Sequence, residues 1–548
     1  MVDNIKELEA EIHPLKADER KSQGNLESGI EKDGSFKKTS RHSRFAQCRT
    51  VIFFFSLFIC LFVVFIISFI IPCPDKSISQ KMWRINYNAA VTYDFMTFKD
   101  ISEDTIQDIL FLYKEDSNGD SSNSNNSCTN QGFSTPCVYL AALSGTNGSV
   151  LWERPVAQDV AYMECVDRHM MEGPPSGCFI VGKQHSFLAV DSSIGEIMWN
   201  QPWPFGDNDS VLTPFLTIPD LTGNEIQDLL IFTKSGRRIK TYLFSSNTGD
   251  QVGSLSYLNL EGEVGYLMHI TYTGAYYILF HSASYIYAYP LKDLYEEMTG
   301  GKDLFMEDNY WQKMIDNITH RILPFSSGTI RYLINVPVLK KKDILLVKTD
   351  RCELFDGQMF SLQWTLNASE VVRKPVLGYY KPGEHAIVLE AGTGFQRKIL
   401  IVDATSGEIL WNLTLNSFPG IPKITSVTTI DQRSAFFFWD SRNQTETGDY
   451  RKTLYMFHPI LPYVLLELTN TTKNIVAFNV IFEQKHHASY VLLTGPTSAD
   501  LPGQVSLSKE KLKESVLNAK VIWLGQTRPE NDQTIKDRFY ELRYKRET

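Results

Sequence analysis

Short β-rich runs, a tryptophan-bearing hairpin recurring 47 residues apart, and one apolar stretch over residues 51–71 predict an all-β chain: a propeller of repeated four-stranded units behind a single membrane-spanning helix. The chain has 548 residues, a formal net charge of −9, 43% hydrophobic and 12% aromatic residues. That length accommodates one large all-β domain with appendages, and the aromatic share suits sheets better than helical bundles. The acidic balance argues against nucleic acid as a partner, because phosphate backbones are recognised by basic stripes that displace counterions.

Residues 51–71 read VIFFFSLFICLFVVFIISFII, with only Ser56, Cys60 and Ser68 outside Val, Ile, Leu and Phe. As a helix this spans about 31 Å, the thickness of a hydrocarbon core. A buried core helix would be amphipathic, and this stretch has no polar face. A cleavable signal peptide would begin near residue 1; here a long polar stretch comes first, and the segment exits through Pro72-Cys73-Pro74, so a signal anchor is expected. Lys37, Lys38, Arg41, Arg44 and Arg49 crowd the N-terminal flank against Lys76, Lys81 and Arg84 beyond the exit, which predicts a cytosolic N-terminus and type II topology. The expected organisation is a disordered cytosolic tail over 1–49, the anchor over 51–71, a linker over 72–81, the propeller ectodomain over 82–530 and a charged C-terminal tail over 531–548.

Glycosylation acceptors give an independent indication of sidedness. The sequons Asn-x-Ser/Thr begin at Asn125, Asn147, Asn208, Asn317, Asn367, Asn412, Asn443 and Asn470, all after the apolar stretch. Average composition would supply about two or three in that length, so the excess agrees with a lumenal C-terminal region. Cysteines fit the same compartment: Cys128 and Cys137 bracket one short loop and Cys165 and Cys178 another, which predicts two local disulfides. Cys73 and Cys352 are left open, either paired with each other, free, or, for Cys73, bridging two chains. Cys48 is juxtamembrane, where a silent thiol or palmitoylation fits.

From about residue 82 the texture is strand after strand, as in Ile109–Tyr113, Leu229–Phe232, Tyr276–Phe280, Ile344–Val347 and Ala435–Trp439, with turn residues between. Helical patterning is confined to Asp293–Thr299, Asp308–Ile315 and the stretch after Asn531. A repeat orders the strands. Ser144, Asp191 and Asp403 are each followed by Gly at +4 (Gly148, Gly195, Gly407) and Trp at +8 (Trp152, Trp199, Trp411). Ser245 with Gly249 is a copy without the Trp; Asp356 with Trp364 is one without the Gly. The polar residue caps the turn, the Gly supplies φ > 0 for a short hairpin, and the Trp is large enough to fill the gap to a neighbouring unit. Trp152 to Trp199 and Trp364 to Trp411 share one spacing, that of a propeller blade, giving seven or eight blades in the length available.

Two loops place oxygen side chains at positions 1, 3, 5 and 9 ahead of a strand: Asp100, Ser102, Asp104 and Asp108, then Asp220, Thr222, Asn224 and Asp228. A hard cation needs six or more oxygens, and alternating residues in a tight loop converge on one point, so calcium is the cofactor considered. Neither loop has Gly at position 6, position 3 is a hydroxyl in both, and the second has fewer carboxylates. The alternative is a metal-free turn whose Asp side chains accept backbone N–H bonds.

The D-x-[ST]-x-[DN]-x-x-x-D loops resemble the FG-GAP repeat of integrin alpha-chain propellers, and the D-x-x-x-G-E-[IL]-x-W hairpin resembles the blade motif of quinoprotein-like propellers. Together with Ile71-Pro72-Cys73-Pro74-Asp75 and the run Leu151-Trp152-Glu153-Arg154-Pro155-Val156-Ala157-Gln158-Asp159-Val160, the chain is similar to the "family with sequence similarity 234" group. That resemblance implies a type II membrane protein with a propeller ectodomain and no established biochemical activity.

Signatures of catalysis are missing from the sequence. No two cysteines are adjacent, as a quinoprotein dehydrogenase requires, and there is no HExxH, G-x-S-x-G or complete phosphate loop. The pair His486-His487 reads as an exposed strand end. The alternation Tyr285-Ile286-Tyr287-Ala288-Tyr289 fits a sugar-binding groove or ordinary core packing. The expected function is a non-enzymatic propeller that binds a protein partner at the cell surface or in the secretory pathway. The alternative is a membrane-tethered sugar-active or hydrolytic enzyme with its site in the propeller channel.

Overall fold

The computed structural model describes residues 42–70, 80–115, 128–166, 177–183, 186–207, 209–260, 262–301, 305–322, 328–338, 341–368, 370–442, 450–498, 501–526 and 528–546. Residues 1–41 of the expected cytosolic tail, most of the linker with Cys73, and the sequons at Asn125, Asn208 and Asn443 lie outside these residues; 42–49, expected to be disordered, are helical. The chain divides into two compact units between Asp75 and Lys76.

In the first unit His42–Ile70 form a helix, α1, of 29 residues, whose side chains are described over 51–66 and are all exposed. Among the described residues no helix is long and apolar enough to cross a membrane; the expected span over 51–71 extends beyond the side chains described.

The second unit is built from antiparallel sheets, because its strands are short, β-branched and aromatic, and are separated by Gly, Asn and Asp turns. The described residues form seven sheets, one of them seven-stranded. That large sheet is two blades sharing one strand, β1 (Met82–Lys99). The first half of β1 pairs with Gly503–Lys511, from Met82 opposite Glu510 to Ala90 opposite Gly503. The second half pairs with Asp108–Glu115, from Ala90 opposite Glu115 to Lys99 opposite Asp108. Ala89, at φ 49°, marks the crossing. Counted this way there are eight blades. The first continues through Val138–Leu143 and Val150–Ala157, and the last is Ile475–Glu483, His487–Thr494, Gly503–Lys511 and the start of β1. A seventh blade beginning at Thr425 carries an extra outer strand, Lys520–Trp523. The fourth has only three regular strands, Val264–Ile270, Tyr276–Ser282 and Tyr285–Pro290.

Where the fourth blade's outer strand belongs, the chain inserts two helices, α2 (Leu291–Thr299) and α3 (Asn309–Met314). Both match the helical patterning of the sequence. Asp308 caps α3 by accepting from the N–H groups of Tyr310 (2.9 Å) and Trp311 (3.1 Å), and Gly300 at φ 69° ends α2. A further helix, α4 (Leu512–Asn518), and α5 (Asp532–Tyr540) complete the set. Asn531 caps α5, and Ile535, Phe539 and Tyr544 are buried with Leu512 and Val516 in the core beneath the seventh and eighth blades. The charged stretch 531–548 is therefore an integral part of the domain rather than an appended tail, because two apolar side chains four residues apart lie on one helical face.

Both expected disulfides are present, Cys128–Cys137 and Cys165–Cys178. Cys352 is a free, fully buried thiol whose pKa burial pushes up to about 12, so it is chemically quiet. Several charges are buried with partners: Lys348 on Glu353 (2.7 Å), Lys509 on Glu483, and Arg397 on Glu390. His281 and His458 are buried too, and desolvation holds both near about 4, below the ordinary 6.5, although Asp431 opposes it at His458.

Those two histidines set a pH dependence. The unfolded chain takes up their protons at 6.5 and the folded chain only near 4. Their stability contribution is therefore complete above about pH 6.5 and is lost as pH falls through that window. Urea unfolding at pH 7 and pH 5 should show a loss on the order of 3 kcal/mol. A His281→Gln, His458→Gln double variant should show a shallower slope; an equal slope would remove this account.

Candidate functional site

Five copies of the hairpin have one backbone design. Gly148 N donates to Ser144 O, Gly195 N to Asp191 O, Gly249 N to Ser245 O, Phe360 N to Asp356 O and Gly407 N to Asp403 O, all at 2.8–2.9 Å. The turn residue needs φ > 0, and where the sequence offers no glycine Phe360 adopts φ 50°. Glycine has a second reason: a Cβ on Gly195 would lie 2.5 Å from Trp152, and one on Gly407 would lie 2.7 Å from Trp364. Each tryptophan thus lies against the next blade's hairpin. Its indole N–H also donates to a carbonyl there: Trp152 to Ser193 O (3.2 Å), Trp199 to Ser246 O (3.0 Å), Trp364 to Ala404 O (3.0 Å) and Trp411 to Pro462 O (2.9 Å). The four tryptophans picked from the repeat do bridge neighbouring units.

Two members of this set escape the sequence pattern. Trp83, in the first half of β1, donates to Gly145 O (3.1 Å) and packs on Gly148, doing for the last blade what Trp152 does for the first. No hairpin precedes it in the chain, so the +8 rule cannot find it. In the fourth blade Asp316–Arg321 closes the same turn, His320 N donating to Asp316 O at 2.8 Å with His320 at φ 56°. Its only sequence signal is the aspartate.

The two acidic loops are congruent. Positions 4 and 6 have φ > 0 in both, at Glu103 and Thr105 and at Gly223 and Glu225. Asp108 Oδ2 accepts from the N–H groups of Ile101 (2.8 Å) and Ser102 (2.7 Å), and Oδ1 from Gly145 N (2.8 Å). Asp228 Oδ2 accepts from Leu221 N (2.8 Å) and Thr222 N (3.1 Å). Asp100 accepts from Thr105 N, Asp104 from Ile106 N and the Thr146 hydroxyl, Asp220 from Gly223 N and Glu225 N, and Asn224 from Ile226 N. Ser102 and Thr222 give their backbone N–H to the position-9 carboxylate. The loops are therefore braced by backbone amides, and Asp108 ties the first to its blade's hairpin. Among the described residues no group of three or more His, Cys, Asp or Glu is arranged to hold a metal ion.

The sequon asparagines that are described, Asn147, Asn317, Asn367, Asn412 and Asn470, are all exposed. A cavity of about 840 Å³ lies against β1, Val376–Lys381, Thr425–Thr428 and Ile475–Glu483. Its lining carries one carboxylate, Asp94, together with Arg373 and Lys423, and no histidine. Burial raises the Asp94 carboxyl and nearby Lys423 opposes that.

The loops of the fourth and fifth blades present something different. Tyr272, Tyr310 and Met359 are 79%, 43% and 58% exposed, yet one hydrogen-bonded cluster fixes them. Gln358 accepts from Tyr272 N (2.8 Å) and donates to Asp308 Oδ2 (2.8 Å), which also accepts from the Thr273 hydroxyl (2.9 Å). The Tyr310 hydroxyl donates to Met359 O at 3.3 Å. Burial alone would raise the Asp308 carboxyl, but its hydrogen bonds from Gln358, Trp311 and Thr273 hold it below the usual range. The cluster is thus an apolar, aromatic surface on a rigid base. Patterning flagged the helix at Asp308–Ile315, but not that Trp311 faces in and Tyr310 out.

Four-stranded antiparallel blades, closed into a ring by a strand shared between the first and the last, define a β-propeller protein. The chain belongs to the FAM234 family: residues 83–545 match the FAM234A/B beta-propeller. It is 48% identical to Protein FAM234A of Homo sapiens over 549 residues, 99% of each chain, and 27% identical to Protein FAM234B of Gallus gallus over 522 residues, 90% of this chain and 82% of that one. Among solved structures it is similar to the WD40 domain of SCAP from fission yeast, at 8% identity and a TM-score of 0.43, covering 78% of this chain and 98% of that one. The resemblance to family with sequence similarity 234 is thereby established, on the FAM234A side.

Replacing Asp108 by Ala strands three backbone N–H groups at the base of the first blade. The expected loss is about 2–4 kcal/mol in urea unfolding, the same with added calcium as with a chelator. A loss seen only in calcium would make the ion, not the amides, the brace. Gly195→Ala should cost about 1–3 kcal/mol through both strain and contact with Trp152, and Gly195→Ala with Trp152→Ala should cost less than the sum of the two.

Proposed function

We propose that the chain is a non-enzymatic, single-pass type II membrane glycoprotein that presents its propeller to a protein partner at the cell surface or in the secretory pathway. The loop cluster of Tyr272, Tyr310 and Met359 carries this reading. Tyrosine and methionine are enriched at the centres of protein interfaces, and a surface whose loop backbone is already fixed loses less entropy on binding. Large exposed apolar side chains grouped on loops that Asp308 ties together mark a contact surface. The membrane reading is supported by the apolar stretch 51–71 and by the asymmetry of basic residues around it. The glycoprotein reading is supported by the exposure of every described sequon asparagine. Calcium at Asp100–Asp108 remains part of the proposal only as an accessory ion to loops that backbone amides already brace.

The test is photo-crosslinking of the full chain on intact cells. A partner captured by the native chain should be lost with Tyr272→Ser, Tyr310→Ser and Met359→Ser together, positions exposed enough to leave the melting temperature unchanged. Capture that survives the triple substitution would move the interface elsewhere. The membrane and glycan readings predict a chain that stays in the pellet after alkaline carbonate extraction and gains mobility on enzymatic removal of N-glycans.

A further inference from the structure

Among the described residues the fourth blade has no regular outer strand, only the bridge of Arg321 to Tyr287, and a cleft of about 620 Å³ opens there. Its floor is Tyr285-Ile286-Tyr287-Ala288-Tyr289. Strand alternation puts Ile286 and Ala288 fully in the core and turns the three tyrosines to the cleft. Tyr257 of the third blade adds a fourth ring, and the turn after Asn317 brings in Arg321.

Arg321 is unusually placed. Its guanidinium carbon lies 4.0 Å over the Tyr285 ring, Nη2 donates to the Tyr287 hydroxyl at 3.3 Å, and Nε is buried with no partner. Among the described residues no carboxylate lies within ion-pairing distance of it, although the exposed Asp316 carboxyl in the same turn is lowered partly by its charge. Every other deeply placed cation described above has its carboxylate, as Lys348, Lys509 and Arg397 do. A half-buried guanidinium with a buried Nε left without a hydrogen-bond partner retains donors for a ligand, and its planar fork matches a carboxylate.

The same cleft holds two carboxylates of its own, Asp293 and Glu297 of α2. Asp293 makes no hydrogen bond or ion pair with the described residues, and Glu297 accepts one, from the Ser256 hydroxyl at 2.9 Å. Two anions beside the arginine repel a run of acidic residues, yet they accept protons from hydroxyl groups. The tyrosines offer flat apolar faces with polar tips. A ring with one carboxylate, several hydroxyls and an apolar face meets all three demands.

We propose that this cleft binds a carboxylate-bearing sugar, with the carboxylate on Arg321, the apolar face of the ring on Tyr257 and Tyr285, and hydroxyls donating to Asp293 and Glu297. The site is non-catalytic and separate from the loop cluster, since Tyr272, Tyr310 and Met359 do not line it.

The test uses the full chain in detergent micelles, produced in cells that make only oligomannose glycans so that a glycan at Asn317 brings no acidic sugar to the cleft. N-acetylneuraminic acid and glucuronic acid are titrated by calorimetry against galactose and a tetraglutamate peptide. At least one acidic sugar should bind at least tenfold more tightly than galactose, and Arg321→Met should lose that tenfold. Tyr257→Ala, at an exposed position, should weaken binding severalfold with an unchanged melting temperature. Equal binding of galactose overturns the proposal, as does a tetraglutamate that outcompetes the sugars, insensitivity to both substitutions, or no binding at all by the folded chain.

Discussion

The first half of β1 pairs with Gly503–Lys511 across more than four hundred residues of sequence, and the ring exists only because of that pairing. An antiparallel sheet with an unpaired edge exposes donors and acceptors, and a propeller escapes this only by closing. The seam is reinforced from both sides. Trp83 and Lys509 both donate to Gly145 O in the first blade's hairpin, the lysine at 2.6 Å, while Lys509 is neutralised by Glu483 of the eighth blade. Burial favours the neutral amine of Lys509 and Glu483 opposes it, so the charge survives only because the carboxylate is beside it.

What joins the last blade to the first also joins four further pairs of neighbours. A tryptophan on an outer strand lies on the next hairpin's turn and donates to its carbonyl, so neighbouring blades share an aromatic contact and a directional bond. The turn therefore has to be flat as well as left-handed, and glycine meets both needs at Gly195 and Gly407. The third, fourth and seventh blades depart from this pattern. The third blade's outer strand, Ser256–Asn259, has no tryptophan, nor does Val464–Thr471 of the seventh, and the fourth blade's hairpin has His320 in place of glycine. With that contact relaxed, the chain accommodates the insertion holding α2 and α3. The loop cluster and the tyrosine-walled cleft both border that insertion, so the one irregular blade is where recognition chemistry accumulates on an otherwise repetitive frame.

Much of this was legible in residues. The Asp/Ser, Gly and Trp offsets gave the hairpin, and the role of Trp152, Trp199, Trp364 and Trp411 followed from their size. The spacing of Cys128 and Cys137, and of Cys165 and Cys178, matched the bridges formed. The congruence of the loops at Asp100 and Asp220 showed as shared spacing. It did not show what their carboxylates contact, because backbone N–H groups leave no mark in a sequence. Nor did Trp83 stand out, since its partner is met only after the chain has gone once round.

The sequence alone determined the local units: strands from β-branched and aromatic runs, turns from glycine and aspartate, caps at Asp308 and Asn531, and a continuous apolar segment set apart from them. These depend on neighbours within a few positions, where spacing translates directly into geometry. The tertiary structure decided the count of blades, the incorporation of α5 into the core, the exposure of Tyr310 beside the buried Trp311, and the placement of Arg321 above Tyr285. Each of those is set by side chains that meet across the ring or across an insertion. Burial and charge balance belong to such meetings, and no local spacing encodes them.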